Sequence, residues 1–280
     1  MTYVSGTAPP GATALMCENF AVTVPQPSQQ RSGAQAVERA LAVLHCVEAT
    51  DDSVGVTELA QRTGLTVSTA HRLARTLTEA GLLRQDARSE RYGLGPALVV
   101  LGRKAERRLG YQQALPLLEE LAEETGESIN LGIRAGNEVN VVLDVMSSQP
   151  LRFNQESGTR IPLHVSAMGK CLLACGDIDA EIEGLGDLDR ATHRTITDRD
   201  QLRAELELVR ERGWALNDEE RNPGVRAVAA PVLRPGGGVV GAIAIQGPTI
   251  RITDERLPEL AALLGRTTKL VAELLSAPRD

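Results

Sequence analysis

One glycine does more than any other residue to limit what this chain can fold into. Gly64 separates two short amphipathic stretches, with Leu65 leading directly into the second. Helices joined that tightly have to share one small core, which is the helix-turn-helix arrangement. In the first stretch Thr57 fits an N-cap ahead of Glu58, Leu59, Ala60 and Arg62. In the second, Ala70, Leu73, Leu77 and Ala80 recur at helical spacing and Gly81 stops the run. From Gln35, a stripe of Val37, Ala40, Leu41, Leu44 and Val47 supplies a preceding helix to close the core. Leu82-Leu83, the polar turn from Asp86 through Glu90, and Tyr92-Gly93-Leu94 read as a hairpin, the wing of a winged helix-turn-helix.

That unit accounts for a small part of a chain of 280 residues. Domains commonly hold roughly 100 to 150 residues, so a second one is expected. Residues 1–32, rich in Pro, Gly, Ser, Thr and Gln and charged only at Glu18 and Arg31, read as a mobile tail. Residues 33–95 form the winged unit, and 96–110, carrying Arg103, Lys104, Arg107 and Arg108, read as a linker helix. The second domain, 111–280, opens with a helix from Ala114 to Thr125 whose apolar face is Leu115, Leu118 and Leu121. Two alternating runs, Ile129-Leu131-Ile133 and Val139-Val141-Leu143, turn at Ala135-Gly136-Asn137 as a hairpin. A short strand near Leu151 to Phe153 precedes a helix from about Ala167, and Leu202, Leu206 and Val209 mark another helix ended by Gly213. Strands Ala227 to Leu233 and Val239 to Gln246 flank a glycine turn, and Thr253 begins a last helix reaching about Ser276. Helices, hairpins and helices again give an α+β fold on an antiparallel sheet.

Composition removes several function classes. A formal net charge of -7 argues against nonspecific coating of nucleic acid, and 2% aromatics leave no base-stacking platform. No apolar run is long enough to span a bilayer and no signal peptide opens the chain, so a cytoplasmic protein with no membrane partner is expected. Gly169-Lys170 is no P-loop, since His164 stands where the loop glycine belongs and Cys171 where Ser or Thr would hold magnesium. Cys171 and Cys175 share a helix face and, with His164, have zinc-ligand chemistry, yet Leu172, Leu173 and Ala174 around them favour a packed helix. Asp218, Glu219 and Glu220 have no partner nucleophile, so the chain does not read as an enzyme, and no cofactor or metal is expected.

On the second helix of the pair, Ser68, His71, Arg72 and Arg75 fall opposite the apolar stripe. A hydroxyl can reach a base or the backbone, and an arginine can grip guanine with two hydrogen bonds, so an outward face of this chemistry suits duplex DNA. Between residues 66 and 93, Arg72, Arg75, Arg84, Arg88 and Arg91 oppose only Glu79, Asp86 and Glu90. Over 34–95, however, seven Arg oppose eight acidic groups. High affinity therefore calls for more than one copy of the domain.

The string from Gly64 through Thr69 to Leu73, with Arg91-Tyr92-Gly93-Leu94-Gly95, resembles the IclR family of bacterial transcription factors. The second domain carries the same resemblance at residues 117–127, at 162–170, and from Asp218-Glu219-Glu220 through Gly224-Val225-Arg226 to Pro231. The resemblance implies a GAF-like effector domain, a homodimer or homotetramer, and paired operator half-sites in double-stranded DNA. It also implies an effector site bounded by Phe153, Ile161, Ala167, Met168, Gly169, Asn217, Asp218, Val225, Ala227, Ala244 and Gln246. Those side chains suggest an apolar or aromatic acid held by backbone N–H groups from Met168 to Lys170. A repressor is the more usual outcome in such a family. The rival reading is a DNA-binding oligomer whose second domain assembles it and senses nothing.

Overall fold

The computed structural model describes residues 32–50, 52–153 and 155–276. The expected tail lies outside these apart from Ser32, which opens the first helix.

Three helices, α1 (Ser32–Glu48), α2 (Val56–Thr63) and α3 (Val67–Glu79), and a two-stranded hairpin, β1 (Leu83–Gln85) and β2 (Tyr92–Leu94), build the N-terminal unit. Gly64 adopts a left-handed conformation (φ 65°) that ends α2, and Thr66 caps α3 by accepting the Thr69 N–H. Val43, Val47, Leu59, Ala70, Ala74, Leu77, Leu83 and Tyr92 close the core. Three details depart from expectation. Helix α2 starts at Val56 behind Gly55, so Thr57 caps nothing. Ala74 takes the buried place expected of Ala80, which lies past the helix end and is exposed. Val37 and Leu41 stand exposed, because α1 meets the core only through its later turns.

Helix α4 (Ala97–Leu109) follows, and none of its residues is buried. A 3-10 turn, Tyr111–Ala114, leads into α5 (Leu115–Thr125). The second domain then adds β3 (Ser128–Ala135), β4 (Glu138–Val145), β5 (Arg160–Pro162), α6 (Ala167–Ala174), α7 (Ile178–Gly184), α8 (Arg199–Arg212), β6 (Ala215–Asp218), β7 (Val225–Leu233), β8 (Val239–Pro248) and α9 (Leu257–Ser276). Six strands form one antiparallel sheet in the order β5-β4-β3-β8-β7-β6. Leu151–Phe153 is not a strand; β5 comes nine residues later and pairs with β4 through Val139 and Ile161.

Because side chains alternate along a strand, the central strands of this sheet serve two cores. Val228, Val232, Ile243 and Ile245 face α5 and α9. Ala227, Ala229, Ala242 and Ala244 face α6 and α8. Bulky residues fill the first side, while alanines on the second let α6 approach closely. Gly132 on β3 belongs to the same close fit, since a Cβ there would lie 2.4 Å from Val139 and 2.9 Å from the Met168 sulfur. Gly169 cannot be enlarged either, for its Cβ would fall 2.1 Å from the Leu163 carbonyl oxygen.

Candidate functional site

The structure presents two regions with functional chemistry, one on the surface of the N-terminal unit and one inside the second domain. On α3, Ser68, His71, Arg72 and Arg75 are exposed on the side opposite Ala70, Ala74 and Leu77. Arg75 Nε donates to Glu79 one turn on at 2.9 Å, an exposed pair easily broken by a competing phosphate. The Thr69 hydroxyl accepts from Thr66 at 2.8 Å, so Thr69 belongs to the helix cap. Arg88 lies exposed at the wing tip, in a turn that Asp86 organises by accepting from the Arg88 and Ser89 N–H groups. Those bonds, the Ser89 ones first, hold the Asp86 carboxyl below its usual range. Arg91 is placed differently. Its guanidinium bonds Ser53 and lies 3.4 Å from Glu58, tying the wing to α2 rather than pointing outward.

Inside the second domain a cleft opens between the N-terminal end of α6, the inner ends of β7 and β8, the side chains of Phe153 and Gln155, and the 221–225 segment. Its enclosed space is about 20 Å³, room for little more than a water molecule, within an opening of about 370 Å³ that includes solvent at the mouth. Phe153, Ile161, Ala167, Met168, Asn217, Val225, Ala227, Ala244 and Gln246 line it. Gln155, Ser166, Arg221 and Asn222, none of them expected, line it too. Gly169 and Asp218 do not. Gly169 packs on Leu163, and Asp218 turns outward to Arg194 and Arg226. The Arg226 hydrogen bond is the main reason the Asp218 carboxyl is held below its ordinary range.

Much of the polar lining is already committed to the fold. Asn217 Nδ2 donates to the Val165 carbonyl at 2.6 Å and its Oδ1 accepts the Glu220 N–H at 3.0 Å. Ser166 caps α6 by accepting the Gly169 N–H at 2.9 Å, and the Lys170 N–H reaches the Ser166 carbonyl. The backbone donors expected to hold a ligand at Gly169 and Lys170 are thus occupied by the helix itself. The Lys170 side chain is 1% exposed and bonds Glu220 at 2.7 Å, with Glu205 at 3.3 Å, behind the cleft. Cys171 donates to the Ala229 carbonyl, burial pushes its thiol far up, and no metal-holding cluster of His, Cys, Asp and Glu occurs among the described residues.

An exposed polar helix face beside a wing, carried on a separate cavity-bearing domain, is the build of a helix-turn-helix transcriptional regulator. The chain belongs to the IclR family. Residues 36–87 match the IclR helix-turn-helix domain and 110–272 the bacterial transcriptional regulator IclR C-terminal domain. It is 36% identical over 238 residues to the HTH-type transcriptional regulator BhcR of Paracoccus denitrificans, covering 84% of this chain and 85% of that one. With the transcriptional repressor IclR of Escherichia coli it shares 31% identity over 242 residues, 85% of this chain and 88% of the relative. The crystal structure of an IclR transcriptional regulator from a Silicibacter species matches with a TM-score of 0.80 at 26% identity, covering 88% of this chain and 98% of that one. No helix among the described residues is long and apolar enough to cross a membrane.

Proposed function

We propose that this regulator reads a paired operator through α3 and the wing, and that a small organic acid or aromatic metabolite in the second-domain cleft alters its grip. The units of that reading are 33–95 for DNA, 96–110 as linker, and 111–280 for sensing and assembly. Repression is the favoured sign, as in the Escherichia coli relative named a repressor. The observation that carries the reading is the cleft itself, where Ala227 and Ala244 of the sheet meet Met168, Phe153, Asn217 and Arg221 around one opening.

Assembly has its own support. Val99, Val100, Leu101 and Leu109 of α4 and Val37 and Leu41 of α1 are each at least 48% exposed, an apolar surface suited to a second copy of the chain. Two copies would also double the number of arginine contacts to phosphate that one DNA-binding unit can make.

The test is fluorescence anisotropy of the full chain on duplex DNA from upstream of its own coding region, against scrambled duplex, over a salt series. Retention of a large specific-to-scrambled ratio as salt rises supports operator reading, and equal binding refutes it for that DNA. A ligand shifts DNA affinity only as far as it binds two conformations unequally. A broad acid library that neither stabilises the chain thermally nor changes operator affinity would establish the rival, a domain that only assembles.

A further inference from the structure

Among the described residues lining the cleft, Arg221 alone is charged, and no described carboxylate pairs with it. Its Nη1 donates to Gln155 Oε1 at 2.8 Å, while burial alone moves its basicity, downward. Two nearby arginines, by contrast, have acids: Arg226 has Asp218 and Asp254, and Arg194 has Asp218 and Glu219. A half-buried guanidinium facing a void without a counter-charge is costly unless something else supplies one.

A second, independent observation points the same way. Gln155 is 6% exposed, and its Nε2 is a buried donor with no partner among the described residues. Its place is fixed, since its carbonyl accepts from Asn130 at 2.8 Å and Asn130 accepts in turn from Gln246. Arg221 is fixed equally firmly. Thr192 and Thr195 donate to the carbonyls of Glu219 and Glu220, and Lys170 holds the Glu220 side chain, so the turn that carries Arg221 is clamped on both sides.

We propose that the effector carries a carboxylate, and that Arg221 with the Gln155 amide is its anchor, the apolar remainder lying against Ile161, Met168 and Val225. The orientation is opposite to one in which the acid group meets the start of α6, where Ser166 already takes the Gly169 and Lys170 N–H groups. The inference rests on the reading of the cleft as an effector site. Planar, charge-assisted hydrogen bonds from a guanidinium suit a carboxylate and do not suit its neutral amide.

Full-length protein labelled at the Met methyls and the Arg side chains is titrated by NMR with acetate and benzoate and with their neutral isosteres acetamide and benzamide. Saturable shifts of the Met168 methyl and the Arg221 Nε–H, with at least one acid about 10- to 100-fold tighter than its amide, support the anchor. Arg221→Gln then removes that preference, and Arg221→Lys, which keeps charge without the planar fork, retains part of it. Arg221→Gln in the absence of ligand raises the unfolding midpoint by about 2 °C, because a desolvated unpaired cation is removed. Acid and amide binding alike at Met168, with Arg221→Gln indifferent, overturns the anchor while the effector cleft stands. No shift at Met168 with any of the four probes overturns the effector cleft and the anchor together.

Discussion

On α3 the buried residues Ala70, Ala74 and Leu77 and the exposed residues Ser68, His71, Arg72 and Arg75 occupy opposite sides of one helix. In the second domain Ala244, Met168 and Asn217 are core residues and cleft walls at once. The first region separates what folds the chain from what meets a partner; the second makes one set of atoms do both. Substitutions on α3 should therefore change recognition without changing stability, and substitutions around the cleft should change the two together.

The harshest trial of this contrast is Lys170→Met, which leaves Glu220 buried without its partner and should remove about 3–5 kcal/mol of stability in urea unfolding. A loss below about 1 kcal/mol would mean the buried pair is not what holds the wall behind the cleft. Next comes Ala244→Leu, which pushes a large side chain into the void from a position 2% exposed. Overpacking should cost about 1–3 kcal/mol and abolish thermal stabilisation by any acid that stabilises the parent, with operator affinity in the absence of ligand kept. Retained stabilisation would place the ligand elsewhere.

Arg72→Ala probes the other side of the comparison. It should lower discrimination at one base pair of the operator by about 1–3 kcal/mol and leave the unfolding free energy within about 0.5 kcal/mol. Unchanged specificity in a binding series over point-substituted operators would show that a different side chain reads the base.

The smallest effect concerns pH. The folded carboxyl of Asp218 titrates below its unfolded value of about 3.9. Its contribution is therefore complete above that value and disappears as pH falls through the lowered folded one. Asp218→Asn should cost up to about 1 kcal/mol near neutral pH, the size of a partly exposed ion pair, and nothing at strongly acid pH. A gap between parent and variant that stays constant from neutral to acid pH would mean that the lost stability is packing and not charge.

The same contrast explains what could be read from the chain alone. The N-terminal unit was legible because its signals are local: Gly64 ends one helix, Leu65 leads into the next, and Leu59 and Leu77 keep the period. The alternating strands were equally plain, and so was the antiparallel α+β layout. Gly55 at the start of α2 hid the first turn, since a glycine cap gives no side-chain sign. Helix α7 and strand β6 escaped notice because both are short and Ala215-Leu216-Asn217-Asp218 shows too little alternation. Arg221 was the costliest omission. It sits in Asp218-Glu219-Glu220-Arg221-Asn222-Pro223-Gly224, which reads as a solvated charged turn. Contacts remote in sequence, from Thr192, Thr195 and Lys170, turn that loop inward. Asn222-Pro223-Gly224, a sharp turn immediately ahead of a strand that meets the cleft, was the one available hint.

The alanines on the inner face of β7 and β8 also set a limit in one direction. A wall made of the smallest chiral side chain has nothing left to trim without giving up a Cβ, so descendants of this chain can readily lose ligand volume along those strands but scarcely gain it there. Broader effectors would have to be accommodated at Met168, Phe153 or Gln246, where larger groups remain to be cut back.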